Sequence, residues 1–193
     1  MLTYNQAGEK ALEAIPSQCM SDCYRCQNTS PSHAFIPSSK DLYIAVTLGI
    51  HEPTTNPLVC GALKPKRGLQ NLEALLWAID TINNDPNILP ETDLGLIVFD
   101  TCGSKEKTAM DVSNFLTGKK EFLPSPHEVV AFLAEGGQEE VKPITDLTMP
   151  LGLTTIAPSA VTPEFGKIKK YSHLLKLSVP SNVIISSMVD ILR

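Results

Sequence analysis

Apolar residues follow two alternating rhythms along the chain. Leu69, Leu72, Leu75, Leu76, Ile79 and Ile82 recur at steps of three, three, one, three and three, the stripe of a helix that packs one face on a core. Gly68 stands just before that stripe and Asn83-Asn84-Asp85-Pro86 closes it. Proline cannot extend the helical ladder and biases its predecessor out of the helical region, so the helix ends there. Leu94 to Asp100 is then a short apolar run of the kind a strand shows when both its faces are covered. The same reading places strands at 42–50, 129–133 and 153–157, helices at 105–116 and 181–192, and a weaker segment at 138–149.

Strands alternating with helices at this spacing predict an α/β fold with a parallel sheet, right-handed crossovers and cover on both faces. A ligand crevice in such a sheet lies beyond the carboxyl ends of the strands. The loops that bear on function are therefore 51–67, 101–104, 134–140 and 158–163.

Residues 1–40 mix Ser, Pro, Gln, Asn and Cys without periodicity. They read as a poorly ordered lead or a small cysteine-tied segment, leaving 41–193 as the folded part. The 193 residues are 42% hydrophobic and 19% charged, which suits one soluble domain with its own core and not a disordered chain. The net charge is −5 and Lys and Arg are scattered, so there is no basic stripe to hold nucleic acid. The sequence has no run of about eighteen apolar residues that would span a membrane. The opening MLTYNQAGEKALEAIP lacks the basic start and apolar core of a secretory signal. The cluster Lys167 to Lys170 reads as a solvated turn.

Five cysteines, Cys19, Cys23, Cys26, Cys60 and Cys102, leave one unpaired at best and do not by themselves fix the redox compartment. Cys19, Cys23 and Cys26 have the spacing with which three thiolates hold a [4Fe–4S] cluster in radical S-adenosylmethionine enzymes. Against this, Arg25 replaces the usual aromatic before the last cysteine, and no strand precedes the motif. A zinc site there would need a fourth ligand, for which His33 is the only nearby candidate. Local disulfides or free thiols are the plainer reading, and no metal or cofactor is expected. Asn28-Thr29-Ser30 is an N-glycosylation triplet that matters only in the secretory pathway. His33, His51, His127 and His173 are scattered, Glu73 and Asp100 lack obvious acid–base companions, and neither a Walker loop nor a nucleophile elbow occurs. The expected role is non-catalytic.

The stretch from Cys60 to Cys102 carries a family resemblance. CG, then RGLQNLEALLWAIDTINNDPNILP, then LGLIVFDTC resembles the ligand-binding ectodomain of class C G protein-coupled receptors, the metabotropic glutamate receptors above all. The resemblance continues more weakly through TAMDVSNFL, IAPSAVTPEF and VPSNVIISSMVDILR, covering roughly residues 41–193 and falling within the first part of that ectodomain. It implies the type I periplasmic-binding-protein, or Venus flytrap, fold, of which this chain is an incomplete lobe one. It also implies a bridge between Cys60 and Cys102, 102 − 60 = 42 positions apart, contributing about 4 kcal/mol on the chain-entropy model.

The family binds an amino acid between two lobes, and what it implies for individual residues is specific. Arg67 aligns with a basic residue that contacts a distal carboxylate, a task suited to the guanidinium fork, and Lys64 would supplement it. The family's Gly-Ser-Ser-Ser type turn, which takes the ligand's α-carboxylate, is replaced by Gly136-Gly137-Gln138-Glu139-Glu140. Gln138 and Glu139 then stand on the serine positions, and an acid there repels a carboxylate, which speaks against glutamate held in the usual manner. Ser159 matches a position used through its backbone. Val161 stands where the family usually has a threonine hydroxyl for the ligand's amino group, and Gly103 lacks the larger side chain often found after the second cysteine.

The link TGKKEFLPSPHE has no cysteine for an inter-chain bridge, while a homo- or heterodimer through the apolar helix faces of lobe one stays open. The resemblance thus implies a fragment of an extracellular domain that senses an amino acid or similar small ligand. In the intact receptor it would face outward from the plasma membrane and reach G proteins only through a membrane domain absent from these residues. Two alternatives stand beside it: a truncated, non-binding subunit that pairs with a full-length receptor, and an iron–sulfur protein of the radical S-adenosylmethionine type.

Overall fold

A computed structural model describes residues 34–35, 40–64, 66–118, 124–160, 162–166, 170–179 and 181–192. In chain order its elements are β1 (Ala34–Phe35), β2 (Leu42–Leu48), β3 (His51–Pro53), β4 (Cys60–Leu63), α1 (Gly68–Asn84), β5 (Leu94–Asp100), α2 (Lys105–Leu116), β6 (Val129–Ala134), α3 (Gln138–Thr148), β7 (Thr154–Ala157), β8 (Leu174–Lys176) and α4 (Ser181–Ile191). Six strands form one sheet in the order β1-β5-β2-β6-β7-β8. The five from β5 to β8 run parallel, and β1, from the stretch read as a lead segment, adds to β5 antiparallel.

Alternation along the strands divides the core into two layers. Val46 and Leu48 on β2 and Leu96 and Val98 on β5 face α1, where they pack with Leu72, Leu69, Leu75, Leu76 and Ile79. Tyr43, Ala45, Ile97 and Phe99 face the other way, onto Val112 and Phe115 of α2 and Val141 and Ile144 of α3. Every residue of β5 is buried, as its unbroken apolar run predicts. Phe99 is the hub of the second layer, edge-on to Phe115 at 5.5 Å and stacked with Phe132 at 6.5 Å between ring centroids.

Several expectations change. The strand expected over 42–50 ends at Leu48, because the Ile50 N–H leaves the ladder and donates to the Asp100 carboxylate at 3.0 Å. The weak segment at 138–149 is a helix over 138–148 even though it contains Pro143. Pro143, at the middle of α3, removes one hydrogen bond of its ladder, whereas Val141, Ile144, Thr145 and Thr148 bury the inner face and hold the helix together. A hairpin, β3 with β4, was not expected within the loop 51–67.

Candidate ligand-binding cleft

The carboxyl ends of the parallel strands open onto a cleft of about 480 Å³. Gly49 follows β2, Thr101 follows β5, Glu135 follows β6 and Ser159 lies just past β7; the loop ahead of α1 adds Lys64 and Arg67, and the start of α3 adds Gly136, Gly137 and Glu140. This is the crevice position that a parallel α/β sheet dictates.

Gly68 sets one wall. A Cβ there would lie 2.6 Å from the Gly49 carbonyl oxygen and 2.7 Å from Ile50 Cα. Only glycine lets the first turn of α1 press on the end of β2, and that contact holds Arg67 over the sheet. Lys64 is fixed by its own backbone, whose N–H donates to the Ile50 carbonyl at 2.7 Å. Its ammonium group lies 3.5 Å from the Glu52 carboxylate.

The far end of the same loop is tied covalently. Cys60 and Cys102 form a disulfide with Cα atoms 5.3 Å apart, as the family resemblance implies. Cys102 takes a left-handed conformation, φ 49°, which costs an ordinary residue about 1 kcal/mol or more; the bridge and the Cys102 N–H bond to Asp100 at 3.0 Å hold it there. Asp100 also accepts from the Ile50 N–H and meets His51 Nδ1. Burial pushes the Asp100 carboxyl up, but the His51 hydrogen bond and charge, with the Cys102 and Ile50 amides, overcome it and hold the group below its ordinary value. Buried Lys107 on α2 closes the base of the turn, donating to the Asp100 carbonyl and to Asp111, each at 2.7 Å.

His51, Asp100 and Cys102 offer three potential metal-ligand atoms within 4.8 Å of one another. The Cys102 sulfur is spent in the disulfide and the Asp100 oxygens are taken by the His51 ring and the amides of Ile50, His51 and Cys102. The cluster therefore locks the strand-end turn and lacks the free donors a metal needs.

The other wall is the turn from β6 to α3. Glu135 accepts a hydrogen bond from the Asn71 side chain of α1. Burial pushes its carboxyl up from the ordinary value, and the Asn71 bond and the Arg67 charge draw it back only in part. Gly136 sits at φ 125°, and a Cβ there would collide with the Glu140 carboxylate. Glu140 Oε2 accepts the Gly137 N–H at 2.7 Å, closing the start of α3.

Of the residues expected at the site, Lys64, Arg67 and Ser159 converge on the cleft. Gln138 and Glu139 do not line it. Gln138 accepts from the Thr162 hydroxyl at 2.7 Å, and Glu139 points to solvent and pairs with Lys105 at 3.1 Å. Gly103 faces Pro53 of the hairpin. Val161, Asn28, Cys19, Cys23, Cys26, His33 and Lys167 to Lys169 lie outside the described residues. Glu135, Glu140 and Thr101 were not anticipated; position one residue past a strand is the signal that marks Glu135 and Thr101.

Comparison of the sequence with known proteins gives the family. The sequence profile of the receptor family ligand binding region matches residues 70–193, well over half of the chain. The chain belongs to that family. It is 28% identical over 168 residues to metabotropic glutamate receptor 4 of Rattus norvegicus, a match covering 77% of this chain and 18% of the receptor. It is 24% identical over 166 residues to metabotropic glutamate receptor 8 of Homo sapiens, covering 78% and 18%. With metabotropic glutamate receptor 6 of Rattus norvegicus it is 26% identical over 172 residues, covering 77% and 20%. The chain thus spans about a fifth of the length of these receptors, and its α/β lobe is a partial one of the class C receptor ectodomain type. Among the described residues, no helix is long and apolar enough to cross a membrane.

Proposed function

We propose that this chain is a ligand-binding lobe of a metabotropic-glutamate-receptor-like extracellular domain, one that senses an amino acid or similar small molecule and, in an intact receptor, drives G protein-coupled signalling. The observation that carries this reading is the meeting of Lys64 and Arg67, from the loop ahead of α1, with Ser159, from the loop after β7, in one cleft at the strand ends. Two cations in the loop ahead of α1 suit an acidic group, and a pocket of about 480 Å³ is ample for a molecule of amino-acid size. The role is binding and not catalysis, exercised on the outer side of the plasma membrane.

The test is a titration of the ¹⁵N-labelled chain with the twenty protein amino acids at millimolar concentration. Amide shifts confined to Lys64, Arg67, Thr101, Gly136 and Ser159 are the expected result, and Arg67→Ala should weaken them at least tenfold. A spectrum unmoved by every amino acid would end this reading.

A further inference from the structure

The cleft carries both signs of charge. Lys64 and Arg67 line it from the loop ahead of α1, and Glu135 and Glu140 line it from the β6–α3 turn. The four lining charges cancel, and the Glu52 carboxylate 3.5 Å from the Lys64 ammonium adds a negative charge beside them, so the cleft disfavours a dianion.

The start of a helix ordinarily draws an anion, because its first N–H groups are unpaired and carry the positive end of the dipole. At α3 that place is filled from within. The Gly137 N–H donates to Glu140 Oε2 at 2.7 Å, and the Glu140 carboxylate lies over Gly136, where no side chain fits. Its neighbour Glu135 is half-buried and held by Asn71. A carboxylate arriving at this end would find the amide occupied and a like charge in its way. An ammonium group would find two carboxylate partners.

We infer that the cleft takes a small zwitterion in one orientation, its acid group on Lys64 and Arg67 and its ammonium group toward Glu135 and Glu140, and that it rejects ligands with a carboxylate at both ends. This rests on the reading of the cleft as a ligand site and names the ligand class. Glu140 is the specificity-determining residue: it supplies from the chain itself the carboxylate that the Gly137 amide would otherwise take from a ligand.

Three probes of equal carbon number separate the outcomes: 5-aminopentanoate, glutarate and cadaverine, each titrated into the ¹⁵N-labelled full chain while the Gly136, Gly137 and Arg67 resonances are followed. The expected result is that 5-aminopentanoate binds at least tenfold tighter than either of the others. Glu140→Gln, which keeps the cap and removes the charge, should narrow the gap to glutarate at least threefold. Glu140→Ala, which also frees the Gly137 amide, should close it, with the dispersion of the spectrum reporting that the fold is intact. Glutarate or cadaverine binding as tightly as 5-aminopentanoate in the unaltered chain, or a ratio indifferent to both substitutions, would overturn the orientation while leaving the cleft a ligand site. Silence with all three probes would overturn the inference, and the titration with the protein amino acids then decides whether the cleft is a ligand site.

Discussion

At the scale of single residues, the side chain that is missing matters as much as those present. Gly68 has no room for even one carbon against Gly49 and Ile50, so Gly68→Ala is expected to cost about 1–3 kcal/mol by overpacking, read as a lower urea midpoint. It should also shift the amide of Arg67, since the two share one turn. Asp100 gives a second expectation. Its folded pKa lies below the ordinary value of 3.8; a depressed carboxylate contributes stability that is present above the unfolded pKa and is lost as pH falls through the folded one. Thermal stability should therefore drop with acidification below pH 3.8, and Asp100→Asn should flatten that slope while lowering stability at neutral pH. Part of the cleft was legible in the sequence. Lys64, Arg67 and Ser159 stand at positions that a family resemblance could mark, and the structure brings them together. Glu140 was not legible in this way, because a resemblance aligns positions and does not show which carboxylate folds back on its own helix.

At the scale of elements, legibility followed the strength of the burial pattern. α1, β5 and α2 bury long stripes or whole faces, and their predicted limits agree with those observed to within a residue. The hairpin strands His51–Pro53 and Cys60–Leu63 are three and four residues long and largely exposed, so no period could announce them. β8 is equally short and sits at the sheet edge, taking its place from β7 and not from its own sequence. The element that binds the layers is β5. Phe99→Ala removes a ring in contact with both Phe115 and Phe132 and is expected to cost about 3–5 kcal/mol, measured as the loss in chemical-denaturation free energy. The denaturant slope should stay unchanged, since the mutation empties a space without altering the fold.

At the scale of the whole molecule, the apolar surface is distributed unevenly. No residue of α4 is buried, and Ile185, Met188, Ile191 and Leu192 are all more than half exposed. Leu175 and Leu177 near the β8 edge add to the same tally of uncovered side chains. Soluble proteins rarely leave so many large apolar groups in water, so the isolated chain is expected to bind a hydrophobic dye and to scatter light as its concentration rises. Ile185→Lys with Met188→Lys should lower both signals at least twofold without shifting the melting temperature, because neither side chain contributes to the core.

The bridge between residues 60 and 102 also makes a closed loop of chain with α1 and β5 inside it. The segment from Asp85 to Asp93 lies on that loop, and Asn87, Ile88 and Leu89 within it are exposed. A protease that nicks there would sever the backbone and yet release nothing: the digest should run as one species on a non-reducing gel and fall into two only after thiol treatment.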